Sequence, residues 1–349
     1  MTRRFGARLA VDGVSLDARR GEVFCLLGPS GCGKSTTLRI AAGLERADSG
    51  RVFAGGRLVD GEGRFEPPEK RRIGLMFQDY ALFPHLSVKA NAAFGLAHLA
   101  PSEREARALE ELARVGMLSH KDAYPHTLSG GEQQRVALAR MLAPKPGVVL
   151  MDEPFSGLDT RLRDEIRSAT LHLLKEARAA TVMVTHDPDE AMRVGDHVAL
   201  MRAGRIVQSG TPTEIYRKPA DAEAAALFGG ANMFRAAVSQ GQVPSPFGGW
   251  IATVLPDGED ADIVFRPSSV QVTEAGVPAE AVLVRPFAGR LEVEAAIPQS
   301  ALPPGLKAPM LVRASAPSDA TIVRGTRVNL SARAEDALVF PSRGEFRAG

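Results

Sequence analysis

Four short apolar runs punctuate the chain up to about residue 207: Val23-Phe24-Cys25-Leu26-Leu27, Val148-Val149-Leu150-Met151, Ala180-Thr181-Val182-Met183-Val184 and His197-Val198-Ala199-Leu200-Met201. Runs without polar alternation predict strands buried on both faces. The helical-period segments between them predict a parallel α/β sheet covered by helices. Between Gln78 and Ser129 such runs thin out. Pro101-Ser102-Glu103-Arg104-Glu105 opens a charged, Ala/Leu-periodic stretch that predicts a helix through Leu118. Residues 79–130 or so therefore read as a mostly helical subdomain inserted in the sheet domain. Past Phe228-Gly229-Gly230 the pattern changes to short β-like runs broken by Pro and Gly: Ile263-Val264-Phe265, Val282-Leu283-Val284 and Leu338-Val339-Phe340. That spacing predicts a small all-β module of barrel type. The expected domains are 1–230 and 231–349.

Composition changes this picture little. A chain of 349 residues has room for roughly two domains of about 150 residues each. Lys+Arg 43 against Asp+Glu 41 leaves a net charge of +2. The basic excess of a dedicated nucleic-acid binder is missing, so no nucleic-acid partner is expected. Cys25 and Cys32 are too few for a disulfide framework and suit a reducing compartment. No apolar stretch approaches the ~18 residues of a spanning helix, and no signal peptide opens at Met1. A soluble, intracellular chain is expected, one that can still dock on a membrane component.

The chemistry enters at Gly28-Pro29-Ser30-Gly31-Cys32-Gly33-Lys34-Ser35, which satisfies G-x-x-x-x-G-K-[ST] between a buried strand and the helical run from Thr36. Glycines there let backbone N–H groups curl around phosphate oxygens, and the helix N-terminus adds positive potential. Lys34 would place its charge at the β/γ-phosphates, and the Ser35 hydroxyl would ligate Mg²⁺. A phosphate-binding loop also needs a carboxylate at the end of a neighbouring strand. Val148–Met151 ends in two, Asp152 and Glu153. Asp152 would hold Mg²⁺, and Glu153, aimed differently on an extended chain, would act as general base on the attacking water.

Further motifs carry a family resemblance. Leu128-Ser129-Gly130-Gly131-Glu132-Gln133-Gln134-Arg135 resembles the signature of ATP-binding-cassette (ABC) ATPases. Gln78 resembles the Q-loop, Ser156-Gly157-Leu158-Asp159 the D-loop and His186 the switch histidine. Phe5 is placed like the aromatic that stacks on adenine. The resemblance covers about residues 3–230. It implies an α/β P-loop NTPase that binds ATP and Mg²⁺, with Gln78 close to both. It also implies that Ser129, Gly130, Gly131 and Glu132 face the γ-phosphate held by the other protomer of a head-to-tail homodimer. Ser129 and the two glycines are expected to precede the helix containing Val136–Arg140, whose N-terminus would then be the second anion site. Glu132 stands where the family often has Gln, and Gly157 where it often has Ala. The family also carries an edge strand ahead of the point where this chain begins. Either the start lies further upstream or the domain does without that strand.

Phe77–Val88 and Gly210-Thr211-Pro212-Thr213-Glu214-Ile215-Tyr216 resemble importer ATPases with a C-terminal regulatory β domain. The tail would be an OB-like module of the TOBE type, with Arg266-Pro267 as its Arg-Pro turn. This implies integral-membrane permease subunits gripped near Leu82-Phe83-Pro84-His85. It implies a periplasmic or extracellular solute-binding protein as an indirect partner, and a peripheral location on the cytoplasmic face of the plasma membrane. Arg163–Lys175 resembles the ferric-iron type most, with polyamine or another small solute as the alternative. A non-transport ABC ATPase would bring coiled-coil heptads or a second cassette, and this chain has neither. A small-molecule kinase would have no use for Leu128–Arg135.

Overall fold

The computed structural model describes residues 1–158, 160–308 and 311–342. The chain divides into two compact units, Met1–Ile215 and Tyr216–Gly349. In the first, strands β1 (Arg3–Phe5), β2 (Arg8–Val11) and β3 (Val23–Leu27) lead to helix α1 (Lys34–Ala42). Then come β4 (Val52–Ala54), β5 (Arg57–Gly61), β6 (Arg64–Phe65), α2 (Pro68–Arg71) and β7 (Ile73–Met76). Helices α3 (Val88–Ala93), α4 (Pro101–Arg114) and α5 (Gly130–Leu142) follow, then β8 (Val148–Asp152), α6 (Thr160–Ala177) and β9 (Ala180–Thr185). The unit closes with α7 (Pro188–Val194), β10 (His197–Arg202) and β11 (Arg205–Gly210).

The central sheet has the order β11-β10-β3-β9-β8-β7, parallel throughout except at the β10–β11 edge pair. All five residues of β3 and all six of β9 are buried, which is why they read as unbroken apolar runs. Leu26, Ile40, Leu150, Val184 and Met201 join sheet and helix α1 in one core. Two small antiparallel sheets, β1-β2 and β4-β5-β6, accompany the central one. Their strands are of five residues or fewer and carry no long apolar run, so the hydrophobic pattern does not announce them.

The insertion is helical, as expected, but α4 stops at Arg114 rather than Leu118. Gly116 takes φ +73°, and Met117 N–H bonds back to the Leu112 carbonyl, closing the helix in a left-handed turn. The segment before α3 is pinned by buried Asn91. Its amide donates to the carbonyls of Phe83, Leu86 and Ser87 at 3.0–3.2 Å and accepts from Phe83 N–H at 2.9 Å. One satisfied side chain thus holds a loop that has no strand or helix of its own.

Helix α8 (Pro212–Arg217) leads to α9 (Ala222–Leu227), followed by strands β12 (Asn232–Ala237), β13 (Gln242–Pro244), β14 (Trp250–Ala252) and β15 (Asp260–Phe265). Next are β16 (Gln271–Thr273), β17 (Val277–Phe287), β18 (Arg290–Ala296), β19 (Val312–Pro317), β20 (Arg327–Ser331) and β21 (Leu338–Pro341). Strands β16-β19-β18-β17-β20 close a barrel, and β12-β15-β21 form a separate sheet, so the expected all-β module is present. Phe234, Phe247 and Phe265 meet edge-to-face in its core, with centroids 5.1–6.3 Å apart. The unit begins at Tyr216, before the Gly229-Gly230 break at which composition shifts. Ala222 and Ala225 of α9 pack on Val264 of β15, and the Arg266 guanidinium donates to the carbonyls of Tyr216, Ala225 and Phe228. The glycine pair is therefore a turn inside the second unit, and Arg266 ties down the segment before it.

Candidate active site

The loop from Gly28 to Ser35 leaves β3 and enters α1 with two positions that admit no side chain. A Cβ at Gly28 would lie 2.2 Å from the Met201 carbonyl oxygen, and one at Gly33 2.1 Å from that of Ala10. Gly33 also takes φ +108°, where only glycine is at ease. The loop is thereby pressed against β2 and β10. Lys34 is buried, and its ammonium donates to the Gly28 and Pro29 carbonyls at 2.8 and 3.0 Å, with Cys32 Sγ at 3.9 Å. Phe5, Ser30, Gly31, Gly33, Lys34, Ser35, Thr36 and Glu153 line one cavity of about 460 Å³, together with Arg8 and Ala10. Phe5 is 45% exposed, with the Arg3 guanidinium 4.8 Å from its ring centroid. It is a wall residue and takes no part in the core.

The carboxylates sit at the C-terminal end of β8. Ser35 Oγ donates to Asp152 Oδ1 at 3.0 Å. Burial holds the Asp152 carboxyl above its ordinary range; the Ser35 bond opposes this and the neighbouring Glu153 charge adds to it. Glu153 does not simply continue the strand. Its φ of +47° turns the backbone left-handed, a conformation that costs a non-glycine residue of order 1 kcal/mol and collects at functional sites. So a kink aims Glu153, where strand alternation had been expected to do it. Gln78 Nε2 donates to Glu153 Oε2 at 3.3 Å, and His186 Nδ1 lies 3.0 Å from the same oxygen. Ser35, Asp152, Glu153, Gln78 and His186, drawn from four separate segments, therefore form one linked group, with Lys34 next to Ser35 at the start of α1.

The signature residues stand apart from it. Among the described residues, no hydrogen bond or ion pair joins Ser129, Gly130, Gly131 or Glu132 to that group. Helix α5 begins at Gly130 itself, so the two glycines lie in its first turn instead of preceding it. Ser129 is the N-cap in a full capping box with Glu132. The Glu132 carboxylate accepts from Ser129 N–H and Oγ–H at 2.8 Å, and these bonds hold it below its ordinary range. Of the D-loop, Ser156 donates to the Glu153 carbonyl at 2.8 Å, and Asp159 lies outside the described residues.

Glycines without room for Cβ, a buried ammonium and a helix N-terminus make a cradle that suits a polyphosphate. The Ser35 hydroxyl and Asp152 carboxylate are hard oxygen donors of the kind Mg²⁺ takes. Among the described residues no cluster of three or more His, Cys, Asp or Glu is poised for a metal. The ABC transporter family model matches residues 11–156. The chain is 44% identical over 81% of its length to the sulfate/thiosulfate import ATP-binding protein of Chromobacterium violaceum, covering 77% of that protein. The chain belongs to the ABC transporter ATPases, among the ATP-binding subunits of importers. It is 44% identical over 78% of its length to the Fe(3+) ions import ATP-binding protein of Streptomyces avermitilis, covering 79% of it. It is 42% identical over 77% of its length to the spermidine/putrescine import ATP-binding protein of Nitrosomonas eutropha, covering 76% of it. The dimeric post-hydrolysis structure of the ATP-binding cassette MJ0796, bound to ADP and Pi, matches 60% of this chain and 95% of its own at a TM-score of 0.54 and 32% identity. The cbiO1 structure from Clostridium perfringens matches 65% of this chain and 92% of its own at 0.57 and 31%.

This ABC ATPase has supporting residues that spacing alone does not reveal. Thr185 Oγ1 donates to the buried Glu190 carboxylate and accepts from Asp187 N–H at 3.0 Å, fixing the turn that carries His186. Burial raises the Glu190 carboxyl. Arg8 on the cavity wall belongs to no motif. Asp152 yields a prediction. Its folded-state pKa is raised, so its contribution to stability is present below the unfolded pKa and is lost as pH rises through the folded value. At neutral pH the buried charge is a cost. Asp152→Asn, which can still accept from Ser35, should raise the Tm of the nucleotide-free protein slightly at neutral pH, the gain being limited by partial solvent screening of the half-buried carboxylate, while removing most ATPase activity. A lower Tm in a scan at neutral pH without nucleotide would contradict this.

Proposed function

We propose that two copies of this chain form the ATP-driven engine of an ABC importer, docked peripherally on permease subunits at the cytoplasmic face of the membrane. The linked group at the cradle carries this reading: Ser35 against Asp152, and Glu153 within 3.3 Å of both Gln78 and His186. Lys34 and the N–H groups of residues 31–36 hold the phosphate tail, and Phe5 offers a ring face to the base. Ser35 and Asp152, with Gln78 nearby, hold Mg²⁺, which when bound draws charge from the phosphates. Glu153 orders and deprotonates the attacking water, and His186, with Nδ1 3.0 Å from the Glu153 carboxylate, senses the terminal phosphate.

Ser129, Gly130 and Gly131 complete the site of the partner copy. Their separation from the cradle within one chain and the N-terminus of α5 both support that role. Exposed Phe94, 4.2 Å between centroids from Phe83, gives the helical subdomain an apolar patch near Leu82–His85 for the permease. Among the described residues no helix is long and apolar enough to cross a membrane, which suits a peripheral subunit. A solute-binding protein is then an indirect partner, and the barrel unit a regulatory module.

Glu153→Gln should keep ATP binding but lower turnover by about 10²–10⁴-fold, and an ATP-bound dimer should accumulate. Near-normal hydrolysis would overturn Glu153 as the base.

For the solute, ferric iron rests on the likeness of Arg163–Lys175, and relatives of similar identity are named for sulfate/thiosulfate, ferric iron and polyamine import. The reason is physical: the ATPase never touches the solute. ATPase activity of the complex reconstituted with its permease should rise with ferric-loaded binding protein. A rise only with the sulfate- or spermidine-loaded form would overturn iron and leave the importer role standing.

A further inference from the structure

The cradle uses one lysine, yet a second cation stands on its wall. Arg8 opens β2, is exposed, and lines the same cavity as Phe5, Lys34 and Ser35. One of its guanidinium N–H groups donates to the Gly31 carbonyl. Gly31 takes φ +77°, and a Cβ there would come within 3.3 Å of Arg8 Nη2, so the guanidinium lies directly over the loop. Among the described residues no carboxylate pairs with Arg8. The contrast with Arg3 on the same hairpin is sharp, since Arg3 is held by Glu45 and Asp48. A guanidinium has five N–H donors, and the Gly31 bond uses one. Among the described residues no carboxylate neutralises the charge that the remaining donors carry, beside a cavity suited to a polyanion.

We propose that Arg8 is a nucleotide-binding residue that supplies a second cation to the phosphate tail, favouring nucleotides in proportion to the number of phosphates they carry. The proposal rests on the cavity being the ATP site and goes beyond it, because Arg8 lies outside the phosphate-binding loop, the signature and the strand-end carboxylates. Its neighbours divide the work. Phe5 meets the base, Lys34 is turned inward on the Gly28 and Pro29 carbonyls, and Arg8 covers the outer lip at Gly31. Charge-assisted bonds from arginine to phosphate are about twice as strong as neutral ones. At an exposed position they are screened by salt.

The test is a direct binding titration of ATP, ADP and AMP to the full chain and to Arg8→Ala, Arg8→Gln, Arg8→Lys and Lys34→Ala. Arg8→Ala should weaken ATP by roughly ten-fold, ADP less and AMP least, with the ATP effect shrinking at high salt. Arg8→Gln keeps a donor for the Gly31 carbonyl and loses the charge. It should be as weak as Arg8→Ala, while Arg8→Lys should recover most of the loss. If Arg8→Gln binds like the parent, or if all three nucleotides weaken alike, Arg8 only props the loop and the proposal is wrong. Unchanged ATP binding in every Arg8 variant overturns it too. Unchanged binding in Lys34→Ala would overturn the cavity as the ATP site, and this proposal with it.

Discussion

The contact on which the rest depends is the pressing of a bare backbone turn against two strands. With the Ala10 carbonyl 2.1 Å from where a Cβ of Gly33 would stand, and that of Met201 2.2 Å from that of Gly28, only glycine lets the loop lie this close to both strands. The loop lines one cavity, and Lys34 folds back so that its ammonium donates to the Gly28 and Pro29 carbonyls. The loop's location at the C-terminal end of β3 follows from burial: a strand apolar on both faces sits mid-sheet, and its end opens beside β9 and β10, with β8 one strand further on.

From that anchor the chemistry is a matter of strand ends. β8 brings Asp152 to Ser35, and β9 brings Thr185 and then His186. The left-handed turn at Glu153 and the buried Thr185–Glu190 pair are local costs in backbone strain and desolvation. Both orient side chains of the linked group, and the surrounding sheet is rigid enough to hold them. The half-buried, raised carboxyl of Asp152 belongs with them as a further desolvation cost at the end of β8.

Much of this was legible in the residues. Unbroken apolar runs announced β3, β8, β9 and β10 because a doubly covered strand has no polar face. The loop motif announced itself because its glycines leave no alternative. What stayed hidden depended on tertiary contact or on local backbone geometry that the hydrophobic pattern does not carry. The start of α5 at Gly130 hinges on the Ser129–Glu132 capping box, and the early end of α4 on a left-handed Gly116. The kink at Glu153, the Asn91 clamp and Arg8 over Gly31 are set by neighbours remote in sequence or by local backbone that no period encodes. The two small antiparallel sheets are too short to carry an apolar pattern, and Ala222–Leu227 joins the barrel unit through packing and Arg266 rather than through composition.

The account stands or falls on Ser129–Gly131 serving a second copy of the chain. ATP occlusion in a mixture of Lys34→Ala and Ser129→Arg chains measures this most directly. In the mixed dimer one composite site carries both lesions, and the other pairs an intact cradle with an intact signature. The account predicts one occluded ATP per mixed dimer and none in either variant alone. Occlusion by the Ser129→Arg chain by itself, or none in the mixture, would contradict it.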